Sequence, residues 1–325
     1  MADDQPIRPA LPMPTVAMLA AMGPPDLMFP PAQSILPGAK SYMNYPFALV
    51  AGHRMLRLDL HIPEGVRGPV PVVLYASGGA WRIVLKGHGP WRFLLQHGYA
   101  VASMEYRLSE EARFPAGVHD VKAAIRWLRA NAAKFSLDGA RIAAWGSSAG
   151  AYLSAMAAAT NGMPDFEGDV GEDLGQSSEI ACLIDHYGPS DLSAMAEDTN
   201  GIPGAMEIFG TETSPESLLL GYRPADRPED ARRAAVACYI SAATVPFLIM
   251  HGDADTRLGI GQSERLRREL LRVGADVEYH VVPGANHAGP EFDTSEAQQI
   301  ALDFLHRAFR PGAPLRRAGP SRGSP

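Results

Sequence analysis

The sequence predicts an α/β fold with a mostly parallel central sheet and helices on both faces. Short apolar segments typical of strands alternate along the chain with segments of helical periodicity. The 325 residues are 46% hydrophobic and 20% charged, which is typical of a soluble globular protein with a sizeable core. Because ligands bind beyond the carboxyl ends of the strands in such sheets, we expect functional residues directly after strands.

The predicted strands differ in pattern according to their expected burial. Residues 55–62 alternate between apolar and polar side chains, which predicts a strand with one exposed face. Val70–Ala76 is a continuous apolar run and predicts a strand buried on both faces. The remaining predicted strands are 99–104, 141–145, 180–187, 245–251 and Val277–Val282.

Helices are predicted between these strands. An apolar stripe at Val118, Val121, Ile125 and Leu128 predicts a helix over 115–133. Small residues predict a second helix over 148–160, directly after a strand. The other predicted helices are a short one over 15–22 that Thr15 caps, Gly261–Val273 and 295–309.

The chain divides into a proline-rich N-terminal arm (1–40), a core domain (41–310) and a disordered tail (311–325) rich in Pro, Gly, Arg and Ser. The arm is either a mobile tail or a segment that folds over the active site as part of a cap; we favour the second interpretation. Residues 191–243 interrupt the alternation and are too many for a plain connection, which predicts a lid or cap.

Charge and motifs narrow the classes of partner. The net charge of −7 argues against nonspecific binding to nucleic acid or to an anionic membrane. The acidic start M-A-D-D-Q and an apolar stretch of only 16–22 predict a cytoplasmic protein without a membrane span. Cys182 and Cys238 are expected to be buried thiols. No pattern specifies a metal or a cofactor, so we expect neither; the oligomeric state stays open.

A candidate nucleophile is Ser148, at the centre of G-S-S-A-G between a predicted strand and a predicted helix. Flanking glycines keep side chains away from a strained turn, and the helix start offers the N–H of Ala149 to a developing oxyanion. Gly79 and Ala80, after an earlier strand, are the expected second source of N–H donors. The alternatives are a glycine-rich helix start with a capping serine and a plain tight turn.

The base and the acid are expected further along the chain. His280 lies in a predicted strand and His306 on the last predicted helix, whereas His287 follows the last strand in a loop. Asp253 and Asp255 both follow the preceding strand and both could be turn residues. We choose Asp255, because it lies two residues further out, toward the loop that carries His287.

Five segments together resemble the α/β-hydrolase fold, in the esterase branch that spans the BD-FAE-like and hormone-sensitive-lipase-like families. They are S-G-G-A-W, the run from E-Y-R-L to L-R-A-N, R-I-A-A-W-G-S-S-A-G-A-Y-L, H-G-D-A-D and G-A-N-H. The resemblance implies a triad of Ser148, His287 and Asp255 and oxyanion donors at Gly79, Ala80 and Ala149. It also implies that the 191–243 insert follows the sixth strand of that fold. The H-G-x-x-D pattern of similar hydrolases supports the choice of Asp255.

Ser77 is a departure from these families, which usually carry histidine there in H-G-G-G; Ala80 replaces the third glycine. We expect a looser oxyanion hole, and substrate contacts from Ser77, Trp81, Ser147, Met206 and Phe209, unless the apolar residues of the insert form its own small core. The leading hypothesis is a serine esterase that acts on small carboxylic esters without a cofactor. An acyltransferase or amidase with the same triad is the alternative, and a noncatalytic ligand receptor on this fold is a more remote one.

Overall fold

A single eight-stranded sheet forms the centre of the computed structural model, which describes residues 15–50, 52 and 54–310. The strand order is β1-β2-β4-β3-β5-β6-β7-β8, and only the β1–β2 and β2–β4 pairs are antiparallel. The predicted α/β fold with a mostly parallel sheet is therefore confirmed. The strands are β1 (Ala39–Leu49), β2 (Met55–Pro63), β3 (Val70–Ala76), β4 (Ala100–Met104), β5 (Leu137–Ser147), β6 (Leu183–His186), β7 (Phe247–Gly252) and β8 (Val277–Val282).

Helices cover both faces of the sheet, because successive side chains of the buried strands point to opposite sides. Val72 and Leu74 of β3 belong to one apolar core, which includes the helices over 116–130 and 149–159, whereas Val73 and Tyr75 belong to the other. The second core includes the last helix of the described chain. The α-helices are α1 (Val16–Ala20), α2 (Pro25–Met28), α3 (Ala116–Ala130), α4 (Ala132–Phe135), α5 (Ala149–Ala159), α6 (Pro164–Glu167), α7 (Met195–Thr199), α8 (Pro215–Leu220), α9 (Pro228–Arg232), α10 (Gly261–Val273) and α11 (Ser295–Ala308).

Two features differ from the predictions. Strand β1 was not predicted, because register shifts between Tyr42 and Tyr45 and between Pro46 and Ala48 break the alternation that would mark it. The strand also begins at the end of the segment predicted as an arm. Cys182 is buried as expected, but Cys238 is exposed, so the prediction of two buried thiols was wrong for Cys238. Cys238 ends a short 3₁₀ helix, and this turn directs its side chain outward.

The segment 191–243 lies between β6 and β7 and contains α7, α8 and α9. It is fastened to α10 by Asp198, whose carboxylate accepts hydrogen bonds from Arg265 Nε at 2.7 Å and from Gln262 Nε2 at 2.7 Å. Its role as a lid stays a prediction.

The described part of the arm packs near the start of the sheet. The buried Val16 of α1 donates its backbone N–H to the Glu172 carboxylate. Residues 1–14 and the predicted tail lie outside the described residues. Within the described ranges, no helix is both long enough and apolar enough to cross a membrane.

Candidate active site

Ser148 lies on a tight turn between β5 and α5, with φ 51° and ψ −121°. Residues other than glycine rarely adopt this backbone conformation. The flanking glycines make this turn possible. A Cβ atom on Gly146 would lie 2.4 Å from Ala151 Cα, and one on Gly150 would lie 2.1 Å from the Ala76 carbonyl oxygen. We call residues 146–150 the serine turn. Close packing of backbone on backbone therefore fixes the position of Ser148.

A chain of hydrogen bonds runs from Ser148 through His287 to Asp255. His287 Nε2 lies 3.0 Å from Ser148 Oγ, and His287 Nδ1 lies 2.6 Å from Asp255 Oδ2. The carboxylate requires a proton on Nδ1, so Nε2 is free to accept the serine hydroxyl proton. Asp253 lies elsewhere: its Oδ1 accepts the backbone N–H of Gly284 at 2.6 Å.

Asp255 is held as a buried carboxylate. Its Oδ1 accepts the backbone N–H groups of Arg257 at 2.8 Å and Leu258 at 2.9 Å. Burial alone would raise the pKa of Asp255, but hydrogen bonds from His251 and His287 outweigh burial and hold this pKa well below its usual range. The carboxylate is therefore ionised wherever the protein is folded at neutral pH.

The loop after β3, residues 77–85, lies opposite the serine turn and is called here the β3 loop. Gly79 has φ 139° and Ala80 has φ 52°, so the loop curls tightly in front of Ser148. The backbone N–H groups of Gly79, Ala80 and Ala149 make no hydrogen bond within the described structure. All three residues line the same cavity as Ser148 and His287.

Side-chain hydrogen bonds hold the β3 loop in place. The indole Nε1–H of the buried Trp81 donates to the Ala149 carbonyl oxygen at 3.0 Å and so ties the loop to α5. The hydroxyl of Ser77, which stands where similar esterases carry histidine, accepts the Leu85 N–H at 3.0 Å. Tyr106 donates its hydroxyl proton to the Ser77 carbonyl oxygen at 2.8 Å.

The cavity beside Ser148 has a volume of about 700 Å³. Of the expected substrate contacts, Ser77, Trp81, Ser147 and Phe209 line it, whereas Met206 does not and its side chain is 48% exposed. The sequence interpretation missed Tyr187, whose ring centroid lies 4.6 Å from that of His287. Its position at the carboxyl end of the predicted strand 180–187 was the available signal. Other apolar lining residues not predicted as site residues are Ile83, Leu85, Pro189, Leu258 and Phe292.

No group of three or more His, Cys, Asp or Glu side chains that could hold a metal ion occurs among the described residues. An eight-stranded sheet of this order, with a serine on the β5–α5 turn and a histidine after β8, defines the α/β-hydrolase class. A family model described as BD-FAE matches residues 58–270, and the chain belongs to the BD-FAE family.

Named relatives of the chain include several esterases. It is 30% identical to Esterase LipC of Mycobacterium tuberculosis over 74% of this chain and 60% of that protein. It is 28% identical to Esterase LipQ of the same organism over 78% of this chain and 58% of that protein. The chain thus spans about three fifths of these relatives. A solved structure, a truncated carbohydrate esterase from gut microbiota, has a TM-score of 0.73 and 29% identity over 82% of this chain and 95% of that one.

Proposed function

We propose that the protein is a serine esterase that cleaves small carboxylic esters through an acyl-enzyme on Ser148, with His287 as base and Asp255 as orienting acid. The observation that carries the proposal is the continuous hydrogen-bonded chain of these three side chains at the wall of a cavity. The esterase names of the relatives and of the solved structure support the same reaction.

In the first half of the reaction, Ser148 Oγ attacks the ester carbonyl carbon while His287 Nε2 takes the hydroxyl proton. The imidazolium that forms is stabilised by the Asp255 carboxylate. The negative charge on the carbonyl oxygen falls beside the unpaired N–H groups of Gly79, Ala80 and Ala149. When the carbon–oxygen bond to the alcohol breaks, His287 returns its proton to the leaving oxygen.

In the second half, water attacks the acyl carbon and His287 accepts its proton. The second tetrahedral intermediate collapses, releases the carboxylic acid and returns the proton to Ser148 Oγ. In sum, one ester and one water give one acid and one alcohol. The proposed steps need no cofactor.

The expected substrate has a modest apolar portion. Insert residues Met195, Ile208 and Phe209 line the cavity together with Ile83 and Leu85 of the β3 loop. Burying apolar acyl groups against these side chains is favourable at about 0.8 kcal/mol per methylene. A chromogenic ester panel from acetyl to dodecanoyl tests acyl length, and added alcohol or amine acceptors separate hydrolysis from acyl transfer.

The variant Ser148→Ala is expected to lower turnover by about 10⁴-fold or more, since it removes the nucleophile. Covalent labelling by a fluorophosphonate should disappear with it. Ser154→Ala on α5 is the matched control, because it removes a buried serine hydroxyl six positions along the same helix segment. Turnover of Ser148→Ala at a tenth of wild type or above would contradict the proposal.

Asp255→Asn and Asp253→Asn separate the two aspartates. We expect Asp255→Asn to lower turnover by about 10³- to 10⁴-fold, because His287 loses its orienting acceptor and its counter-charge. Asp253→Asn keeps an acceptor oxygen for the Gly284 N–H but weakens this turn contact by removing its charge, and should cost about 1 kcal/mol of stability. Measurement of both with one ester decides the assignment; a severe loss in Asp253→Asn with a mild one in Asp255→Asn would reverse it.

A further inference from the structure

A second histidine, His251, contacts the same carboxylate oxygen of Asp255 as His287 does. Its Nε2 lies 3.2 Å from Asp255 Oδ2 and 2.9 Å from the Leu258 carbonyl oxygen. Two acceptors facing one ring nitrogen require a hydrogen on that nitrogen, so Nε2–H is shared between them. The other nitrogen, Nδ1, lies 2.7 Å from the Ser263 hydroxyl on α10, which then donates to it.

This arrangement extends the chain of hydrogen bonds into the core. It runs from Ser263 through His251, Asp255 and His287 to Ser148, and His251 is completely buried at the end of β7. The oxygen Oδ2 of Asp255 therefore faces two imidazoles. A carboxylate oxygen that shares its charge with one donor interacts less strongly with the other.

We propose that His251 is a positioning residue that orients the Asp255 carboxylate and withdraws part of its charge from His287, which tunes His287 as the base. The proposal rests on the proposed function, because it concerns the same three side chains. Hydrogen bonds from His251 and His287 lower the pKa of Asp255, whereas burial raises it.

Other ionisable groups lie near these two histidines and contribute to the pH dependence of the site. Asp185 and Tyr187, at the end of β6, lie near His251, and Tyr187 also packs on His287. Burial raises the pKa of Tyr187 to about 12, so this phenol stays neutral near pH 7. Burial raises the pKa of Asp185 to about 6, so Asp185 needs a variant of its own in any pH profile.

Two amide variants of His251 separate its contact with Asp255 from its contact with Ser263. His251→Gln carries an N–H group at about the reach of Nε2 and keeps a donor to Asp255. His251→Asn keeps a polar partner for Ser263 but is one methylene too short to reach Asp255. The matched control is His61→Asn, since His61 is likewise buried and its Nδ1 lies 2.8 Å from the Ser41 hydroxyl, far along the sheet on β2.

We expect His251→Asn to lower kcat by about tenfold with little change in KM. In the pH profile of kcat/KM, the ascending limb should move to higher pH by about half a unit. The upward direction follows because an unshared Asp255 carboxylate stabilises the imidazolium of His287 more strongly. For His251→Gln, kcat should stay within about threefold of wild type and the ascending limb of the pH profile should not move. The limb should also stay in place in His61→Asn. If His251→Asn does not fold, His251→Met supplies an apolar side chain without the donor.

The inference is overturned if the Asn and Gln variants behave alike, or if the limb disappears in Asp185→Asn. Failure of the proposed function is distinguishable, because wild type would then hydrolyse no ester of the panel and Ser148→Ala would change nothing. In that case the His287 Nδ1 proton, followed by NMR, decides the inference. The resonance of this proton should move downfield in His251→Asn and not in His251→Gln. A resonance that moves in neither variant overturns the inference.

Discussion

The serine turn and the β3 loop lie against each other at the wall of the cavity, and both hold residues other than glycine at positive φ. Ser148 has φ 51°, and Ala80 and Trp81 have φ 52° and 57°. The two regions stabilise this backbone differently. The serine turn is buried between β5 and α5 and has no space for one more methyl group at Gly146 or Gly150. Close backbone packing fixes it, together with the hydrogen bond from the Ser148 N–H to the His186 carbonyl oxygen at 2.9 Å.

The β3 loop lies at the surface, where a backbone hydrogen bond from the Ser109 N–H to the Trp81 carbonyl oxygen at 2.8 Å is joined by individual side-chain contacts. Ala80 is exposed, and the loop is held by Trp81 to Ala149 and by Ser77 to Leu85. Close packing leaves one arrangement available, whereas a few hydrogen bonds of about 1 kcal/mol each leave a loop that can shift. We therefore expect the position of the nucleophile to be rigid and that of the proposed oxyanion donors to be adjustable.

The largest effect is expected when the serine turn is disrupted by Gly150→Ala. The new Cβ would lie within 2.6 Å of the backbone oxygens of Ala76 and Ser77, which cannot move without shifting β3. We expect a loss of about 3 kcal/mol in the free energy of unfolding and at least a hundredfold loss of turnover. The control is Gly175→Ala, where a Cβ meets nothing within 4 Å. Chemical denaturation and ester turnover check both, and a folded, active Gly150→Ala enzyme would refute the description of a rigid turn.

Trp81→Phe tests the main brace of the β3 loop. The phenyl ring keeps most of the buried surface but loses the hydrogen bond to the Ala149 carbonyl oxygen. We expect kcat to fall about tenfold and stability to fall by about 1 kcal/mol. Trp127→Phe, in the core on α3, gives the cost of shrinking a buried indole away from the site. Equal kcat in the two variants would mean that the brace does not set donor positions.

Ser77→Ala should have the smallest effect of the series. It removes the acceptor of the Leu85 N–H, while Tyr106 still holds the Ser77 backbone oxygen. Because Trp81 remains in place, we expect kcat to fall two- to threefold, or about 0.5 kcal/mol in the activation barrier. Steady-state kinetics with a short-chain chromogenic ester measure it, and a loss beyond that of Trp81→Phe would invert the ranking of the two braces.

The same contrast explains what the sequence could predict. The serine turn depends on a local pattern of small residues, so G-S-S-A-G between a strand and a helix was sufficient to locate it. His287 and Asp255 follow strands directly and could be located by the same logic, and the structure brings them within hydrogen-bonding distance. Strands β3 and β8 and helix α10 have their predicted bounds, and β3 coincides with the continuous apolar run from which it was predicted.

Contacts between distant segments could not be predicted in this way. Trp81 lines the cavity, but the hydrogen bond from its indole nitrogen to a backbone oxygen 68 residues away was not foreseen. The partnership of His251 with Ser263 depends on how α10 packs against β7, which no local pattern describes. Strand β1 was missed because its bulges remove the period of two.

Strand β8 (Val277–Val282) is the outermost strand beyond β7, its residues are mostly half-exposed, and His287 lies in the loop after it. His287 and Ser148 are 139 residues apart in sequence, so their pairing depends on an element that is among the easiest to detach. Edge strands open locally at lower free energy than the centre of a sheet. Fraying of one edge would therefore separate the proposed base from the proposed nucleophile while the rest of the fold persists. Thermal inactivation would then precede global unfolding, and the working lifetime of the protein would be set by a local event at its periphery.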